Sequence, residues 1–121
     1  MKNTLGALFI MLTAWGCAAQ PNEPSAPLPP VLIAIQAMGD SFQLEPSDVS
    51  IKQNIHYLDN GSEAVVEIEQ TGIQDDSLAA TKSIFTLNTA DSGAWKVIKR
   101  VDTHKCHEGR GSQVYSVARC R

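Results

Sequence analysis

Aromatic side chains are scarce in this 121-residue chain, at 6%, and there are only three cysteines. So few aromatics do not furnish the stacking platforms on which single-stranded nucleic acids lie. Basic residues do not prevail either. Ten Lys and Arg stand against thirteen Asp and Glu, a formal net charge of −3, and this argues against a dedicated nucleic-acid binder. Beyond the N-terminus no run reaches the roughly 18 apolar residues that a membrane-crossing helix needs. The sequence contains no nucleophile elbow, phosphate loop or zinc-protease helix, and none of its motifs calls for a cofactor. Charged residues make up 19% and hydrophobic ones 43%, a balance that buries a core, and the length suits one domain.

The first apolar feature is an export segment. Lys2 is the lone charge of residues 1–16, and Leu5 to Trp15 is almost wholly apolar. That run is too short to span a bilayer and has the length of a signal-peptide core. Small residues follow at Ala14 and Gly16, then Cys17. The stretch from Leu12 to Cys17 resembles a bacterial lipoprotein signal, although Ala14 and Trp15 stand where such signals prefer Leu and a small residue. The resemblance implies that Cys17 is acylated and becomes the mature N-terminus. Ordinary secretory cleavage after Gly16 is the alternative. Localisation then reads as the cell envelope, at the outer membrane and facing the periplasm through the lipid.

Cysteine parity bears on the same question. An exported protein rarely leaves a thiol unpaired. With Cys17 acylated, Cys106 and Cys120 are left to pair, closing a loop of about 15 residues worth roughly 3 kcal/mol in chain entropy. Free thiols are the alternative.

Residues 17–30 form a linker that holds Pro21, Pro24, Pro27, Pro29 and Pro30. Such a stretch favours an extended, semi-rigid tether, and its use as a ligand for a proline-binding groove is the lesser reading. The single domain then spans residues 31–121. Val31, Leu32, Ile35, Met38 and Phe42 recur on one helical face. Pro29 and Pro30 suit its start, Gly39 weakens its last turns and Pro46 ends it. A buried strand over Val31–Ile35 is the competing assignment.

From Val49 the apolar period changes to two. Val49, Ile51, Ile55 and Tyr57 share a face that Gln53 interrupts, and Asp59-Asn60-Gly61 signals a hairpin. Ala64, Val66 and Ile68 alternate with Glu63, Glu67 and Glu69. Gly72–Ser77 is a polar loop, a third strand covers Ala79–Asn88 with Phe85 and Leu87 inward, and Asp91-Ser92-Gly93 turns again. The fourth strand places Trp95, Val97 and Val101 inward and Lys96, Arg100 and Asp102 outward. The expected fold class is α+β: one N-terminal helix packed on a four-stranded antiparallel sheet, with a disulfide-closed C-terminal loop. The stretch Asp91-Ser92-Gly93-Ala94-Trp95-Lys96-Val97-Ile98 resembles the late hairpins of cystatin-like and NTF2-like domains. That resemblance implies a deep ligand pocket, although such domains have more helix before the sheet than this chain supplies; a deep apolar cavity lined by Phe42, Tyr57 and Trp95 would mark the pocket reading.

The segment from Cys106 to Cys120 resembles the ending of small exported bacterial proteins of unknown function, whose pattern is Cys-x-x-Gly-Arg-Gly-His-Gln-Asp-aromatic-Ser and a final Cys. Gly109, Arg110, Gly111, Gln113, Tyr115 and Ser116 fit it, and Ser112 and Val114 stand where the pattern has His and Asp. The resemblance supplies no activity. Lys96–Arg121 holds seven basic and two acidic residues, whereas Cys17–Trp95 holds two and eleven. That polarity suits an anionic envelope component or an acidic protein partner, or else internal pairing with Glu67 and Glu69. Gly109-Arg110-Gly111 reads as an anion-binding nest or as a tight turn, and Arg110 and Tyr115 are residue types that anchor interfaces. His104, Cys106 and His107 suggest a zinc site or a nucleophile–base pair, but a Cys106–Cys120 bond removes the thiolate either needs. Asp75-Asp76 offers too few ligands for calcium.

The expectation is therefore a lipid-anchored envelope protein, not an enzyme and without a metal, acting as a binding or interaction module. Its alternative is a small-ligand pocket protein. Cys17→Ala should release the protein from the membrane fraction or block its processing, as followed by fractionation and immunoblotting. A processed variant that stays fully membrane-bound removes the lipid anchor.

Overall fold

The computed structural model describes residues 26–121. The signal segment, Cys17 and the linker up to residue 25 lie outside the described residues. One helix, α1 (Pro30–Ala37), precedes four strands: β1 (Asp48–Leu58), β2 (Gly61–Thr71), β3 (Leu78–Asn88) and β4 (Lys96–Cys106). The strands pair antiparallel in chain order as a meander. No helix among the described residues is long and apolar enough to cross a membrane.

Pro30 occupies the first helical position, where its missing N–H costs nothing. The first free N–H, that of Val31, donates to Gln53 Oε1 at 3.0 Å. The polar residue that interrupts the inward face of β1 thus serves the helix N-terminus, whose amides otherwise lack partners. Ala34 is the buried centre of the helix and packs with Ala64, Val66, Ile68, Phe85 and Leu87 in the core. An alanine there lets the helix backbone approach the sheet closely.

Three details differ from the sequence expectation. The helix ends at Ala37, well before Pro46, because Gly39 takes φ +89° and turns the chain away. Leu32, assigned to the apolar face, is 43% exposed. Val49, Ile51 and Tyr57 do share the helix-bearing face with Ile55, but they remain 40%, 40% and 83% exposed. The helix lies against β2 and β4, and an eight-residue element is too short to cover β1 as well.

The fourth strand departs most. Its pairings Phe85↔Arg100 and Ser83↔Asp102 put Arg100 and Asp102 on the core side, and Ile84↔Val101 puts Val101 on the other. The cause is a bulge: Thr86 pairs with Lys99 and Leu87 with Val97, leaving Ile98 as an extra residue. One added residue reverses which side chains face the core. The inward polar groups are all engaged. Buried Ser83 donates to Asp102 Oδ1 at 2.6 Å, and Arg100 Nε donates to the same carboxylate at 2.9 Å. Arg100 Nη1 also donates to the Ala37 carbonyl at 2.6 Å, and the guanidinium stacks 5.0 Å from the Phe85 ring. A cation there meets the negative end of the helix dipole while covering the core's rim.

Phe85→Ala should lower unfolding free energy by about 3–5 kcal/mol, as a buried aromatic truncated in a small core. Leu32→Ala should cost less than about 1 kcal/mol. Urea titration of both variants checks the assignment of the helix face; equal losses would contradict it.

The disulfide-closed C-terminal loop as candidate functional site

After β4 the chain folds back on the edge of the sheet. Cys106 and Cys120 form a disulfide with Cα atoms 5.5 Å apart. Inside the loop, Cys106 N–H donates to Ser112 O at 2.7 Å, and His104 and Ser116 exchange two main-chain hydrogen bonds at 3.0 Å. The returning segment therefore acts as a short fifth partner for the end of β4 and shields that part of an open edge. Gly111 has φ +150°, and a Cβ there would lie 2.8 Å from Cys106 Sγ. Glycine is needed at this position because the disulfide packs against its backbone.

The loop is also tied to the β2–β3 connection. His107 N–H donates to Ser77 O at 2.9 Å, and Ser77 Oγ donates to the Arg121 main-chain oxygen at 2.6 Å. The Asp75 carboxylate accepts N–H groups of Ser77 and Leu78 at 2.8 and 2.6 Å. Those bonds, led by that of Leu78, hold its carboxyl below the usual range. Asp75 is thus a turn cap.

Arg110, between its two glycines, is exposed. Its N–H donates to His107 O at 3.0 Å and its carbonyl accepts Arg121 N–H at 2.7 Å, so the triplet forms a turn that consumes one amide of the envisaged nest. The guanidinium reaches the Arg121 main-chain oxygen at 3.4 Å. Gln113 is exposed as well.

Tyr115 lies on the face of the sheet away from α1, where Lys82 and Lys105 each hold an ammonium 4.5 Å from its ring centroid. Two cations over one ring exploit its negative face. Lys82 also pairs with Glu67 at 3.0 Å and Glu69 at 3.3 Å. The buried Tyr115 hydroxyl stops short of a closed hydrogen bond, yet the Glu69 carboxylate is near enough to perturb both groups. Burial, followed by that carboxylate, pushes the phenol up to about 12. The hydroxyl in turn lowers the Glu69 carboxyl, against its burial and with help from Lys82 and Lys105. The ring is therefore committed to the sheet.

The donor atoms of His104, Cys106 and Cys120 lie within 4.8 Å of one another, whereas His107, which the sequence grouped with His104 and Cys106, is not in that cluster. The sulfurs are bonded to each other. His104 Nε2 lies 2.6 Å from Ala118 O, and His107 Nε2 lies 3.0 Å from Asp75 O. Carbonyl oxygens only accept, so each ring carries its proton on Nε2.

Phe42, Tyr57 and Trp95 do not line a common pocket. Phe42 and Trp95 pack against the core, and Tyr57 points to solvent. The sequence reading also passed over polar residues on the core face of the sheet. Gln70, Thr81 and Ser83 occupy positions in step with Ile68 and Phe85, and that parity was the available signal. Comparison with protein-family models, curated proteins and solved structures finds no match to this chain.

Tyr115 makes a pH-dependent contribution. Its folded value, about 12, lies above the ordinary 10.0, so the contribution is complete below about pH 10 and is lost as pH rises toward 12. In a Tyr57→Phe background the one remaining phenol should titrate near 12 by absorbance at alkaline pH, and Glu69→Gln should lower that midpoint. A midpoint near 10 would free the ring from the sheet.

Proposed function

We propose that this chain is an exported lipoprotein of the cell envelope. Cys17 carries the acyl chains, the Pro-rich linker is the tether, and α1 is the N-terminal helix of the mature domain. The domain is a non-enzymatic binding module. It meets an anionic envelope component or an acidic protein through the basic edge formed by β4 and the disulfide-closed loop.

The observation that carries this reading is how little of the basic charge is paired internally. Among the described residues, Lys82 and Arg100 make the ion pairs, with Glu67, Glu69 and Asp102. Lys105 rests on Tyr115. Lys96, Lys99, Arg110, Arg119 and Arg121 are exposed and, among the described residues, have no Asp or Glu carboxylate within 4.0 Å. Glu67, Glu69 and Asp102 are thus already engaged, and the remaining cations face solvent, with Glu108 the one unpaired acid of residues 96–121. Such a predominantly basic surface steers and holds an anionic partner in a salt-dependent way. Gly109, Arg110, Gly111 and Gln113 are exposed in its loop, and Tyr115 anchors that loop on the sheet through Lys82 and Lys105. Binding is favoured over catalysis because the two sulfurs are joined and both neighbouring imidazoles are bound to main-chain oxygens.

A variant carrying Lys96→Glu, Lys99→Glu and Arg110→Ala should lose partner capture from its own envelope on the order of tenfold. Its thermal midpoint should stay within about 2 °C, since no packed group is removed. Wild-type capture should weaken as salt rises. Capture of the same envelope components at the same strength by the triple variant would overturn the proposal.

A further inference from the structure

A second site lies at the other end of the helix from the linker. Between the turn that follows α1, the ends of β2 and β3 and the loop joining them is an open cavity of about 440 Å3. Binding pockets for small molecules span roughly 300–1,000 Å3. Its walls are apolar, with Met38, Phe42, Leu44, Ile73 and Leu78. Leu44 is 75% exposed at the mouth, an apolar side chain with no packing role of its own.

One chain of uncharged polar groups runs along the lining. Gln43 Nε2 donates to Ser47 Oγ at 2.8 Å, while Ser47 N–H donates to Gln43 Oε1 at 3.3 Å and so fixes which way that amide faces. Gln70 bridges Ser47 Oγ, 3.1 Å away, and Thr81 Oγ1, 3.4 Å away. The protons in this chain can be counted. If Gln70 donates to Ser47 and accepts from Thr81, the Ser47 hydroxyl accepts twice and its own proton has no acceptor. With the Gln70 amide reversed, Ser47 donates to Gln70 and the Thr81 proton is left over. Either orientation leaves one hydroxyl donor, on a residue that lines the cavity, together with a second hydrogen on the Gln43 amide. Spare hydroxyl and amide hydrogens therefore line the cavity.

The charge around it is selective. No Lys, Arg or His contributes to the lining, and Glu45 does. An anionic head would lack a counter-charge and meet a carboxylate. The turn is also held in an uncommon conformation: Gln43, at φ +64°, is the one non-glycine residue with positive φ among those described. Its Ser47 contacts maintain that geometry against its steric cost.

We propose that this cavity binds a small uncharged molecule with an apolar body and a hydrogen-bond-accepting head, a carbonyl or ether oxygen. The head takes the spare hydroxyl proton of the Ser47–Gln70–Thr81 chain, and the body lies against Phe42, Ile73 and Leu78. The site shares no residue with the basic edge, so either can fail without the other.

The test uses the full chain, labelled with nitrogen-15, and three eight-carbon probes: N,N-dimethyloctanamide, octanoate and octylammonium. The neutral amide should give saturable shifts of the amide signals of Phe42, Gln43, Ile73 and Leu78. Octanoate, which meets Glu45 without a counter-charge, should bind at least about tenfold more weakly, and octylammonium, which only donates and cannot take the spare hydroxyl proton, should also bind more weakly because exposed Glu45 holds it poorly. Ser47→Ala with Thr81→Val should weaken amide binding about tenfold, the equivalent of one hydrogen bond. Should that pair of changes disturb folding, Ile73→Trp fills the cavity from the loop side and should abolish the shifts while leaving the polar chain in place. Absence of saturable shifts at these residues would overturn the site. Equal affinity for octanoate would overturn the uncharged head, and undiminished binding by the hydroxyl-free variant would overturn the role of the donor chain.

Discussion

An eight-residue helix has to cover strands of eleven residues. The helix is about 12 Å long and the strands about 36 Å. Most of what distinguishes this domain follows from that mismatch. The helix closes the middle of one sheet face over Phe85, Leu87 and Val66, with Ala34 as its point of closest approach. Beyond its reach, other groups must do the covering. Arg100 lies over Phe85 and caps the last helical carbonyls. The turn through Phe42 and Leu44 arches over the far ends of β2 and β3 and leaves a cavity beneath it. The outer part of β1 stays uncovered, with Val49 and Ile51 partly in water.

The opposite face is organised by charge. Glu69 and Lys82 are directly opposed on neighbouring strands, the arrangement in which cross-strand pairs stabilise a sheet. Tyr115 then settles on the two lysines. The loop that carries it becomes part of the sheet's second face, and the disulfide fixes the ends of that loop. These ion pairs are partly exposed, so each contributes at most about 1 kcal/mol. Their larger effect is on where charge remains. Pairing Glu67 and Glu69 with Lys82, and Asp102 with Arg100, leaves Lys96, Lys99 and the arginines of the last segment facing outward.

Much of the fold was legible in the sequence. Alternation placed the first three strands within about two residues and found the start of the fourth but not its last four residues, Asp59 and Asn60 make the first hairpin turn, and cysteine parity pointed to the 106–120 bond. What was not legible has physical causes. A bulge at Ile98 shifts the parity of β4 without any glycine or proline to announce it, so Arg100 and Val101 exchanged faces. Helical periodicity continued through Phe42, but the backbone at Gly39 turned first. The Gln43–Ser47–Gln70–Thr81 chain joins residues far apart in sequence, and only the antiparallel register brings Gln70 opposite Thr81. In the C-terminal loop, residue type marked Tyr115 as an interface anchor, whereas Lys82 of β3 and Lys105 of β4 hold it on the sheet.

The way the two ends of the domain are fastened has a mechanical consequence. Residues 26–29 lead directly into α1, whose attachment to the sheet is one face of apolar contact, the Val31–Gln53 bond and the Arg100 clamp on Ala37. The last segment is instead riveted by a covalent bond and by hydrogen bonds to both β4 and the β2–β3 loop. A pull applied at residue 26 therefore loads the helix while the sheet and its loop bear little of it. The helix is the fuse: it peels from the sheet before any strand pair is sheared, and the hydrogen-bonded meander stays assembled under that load.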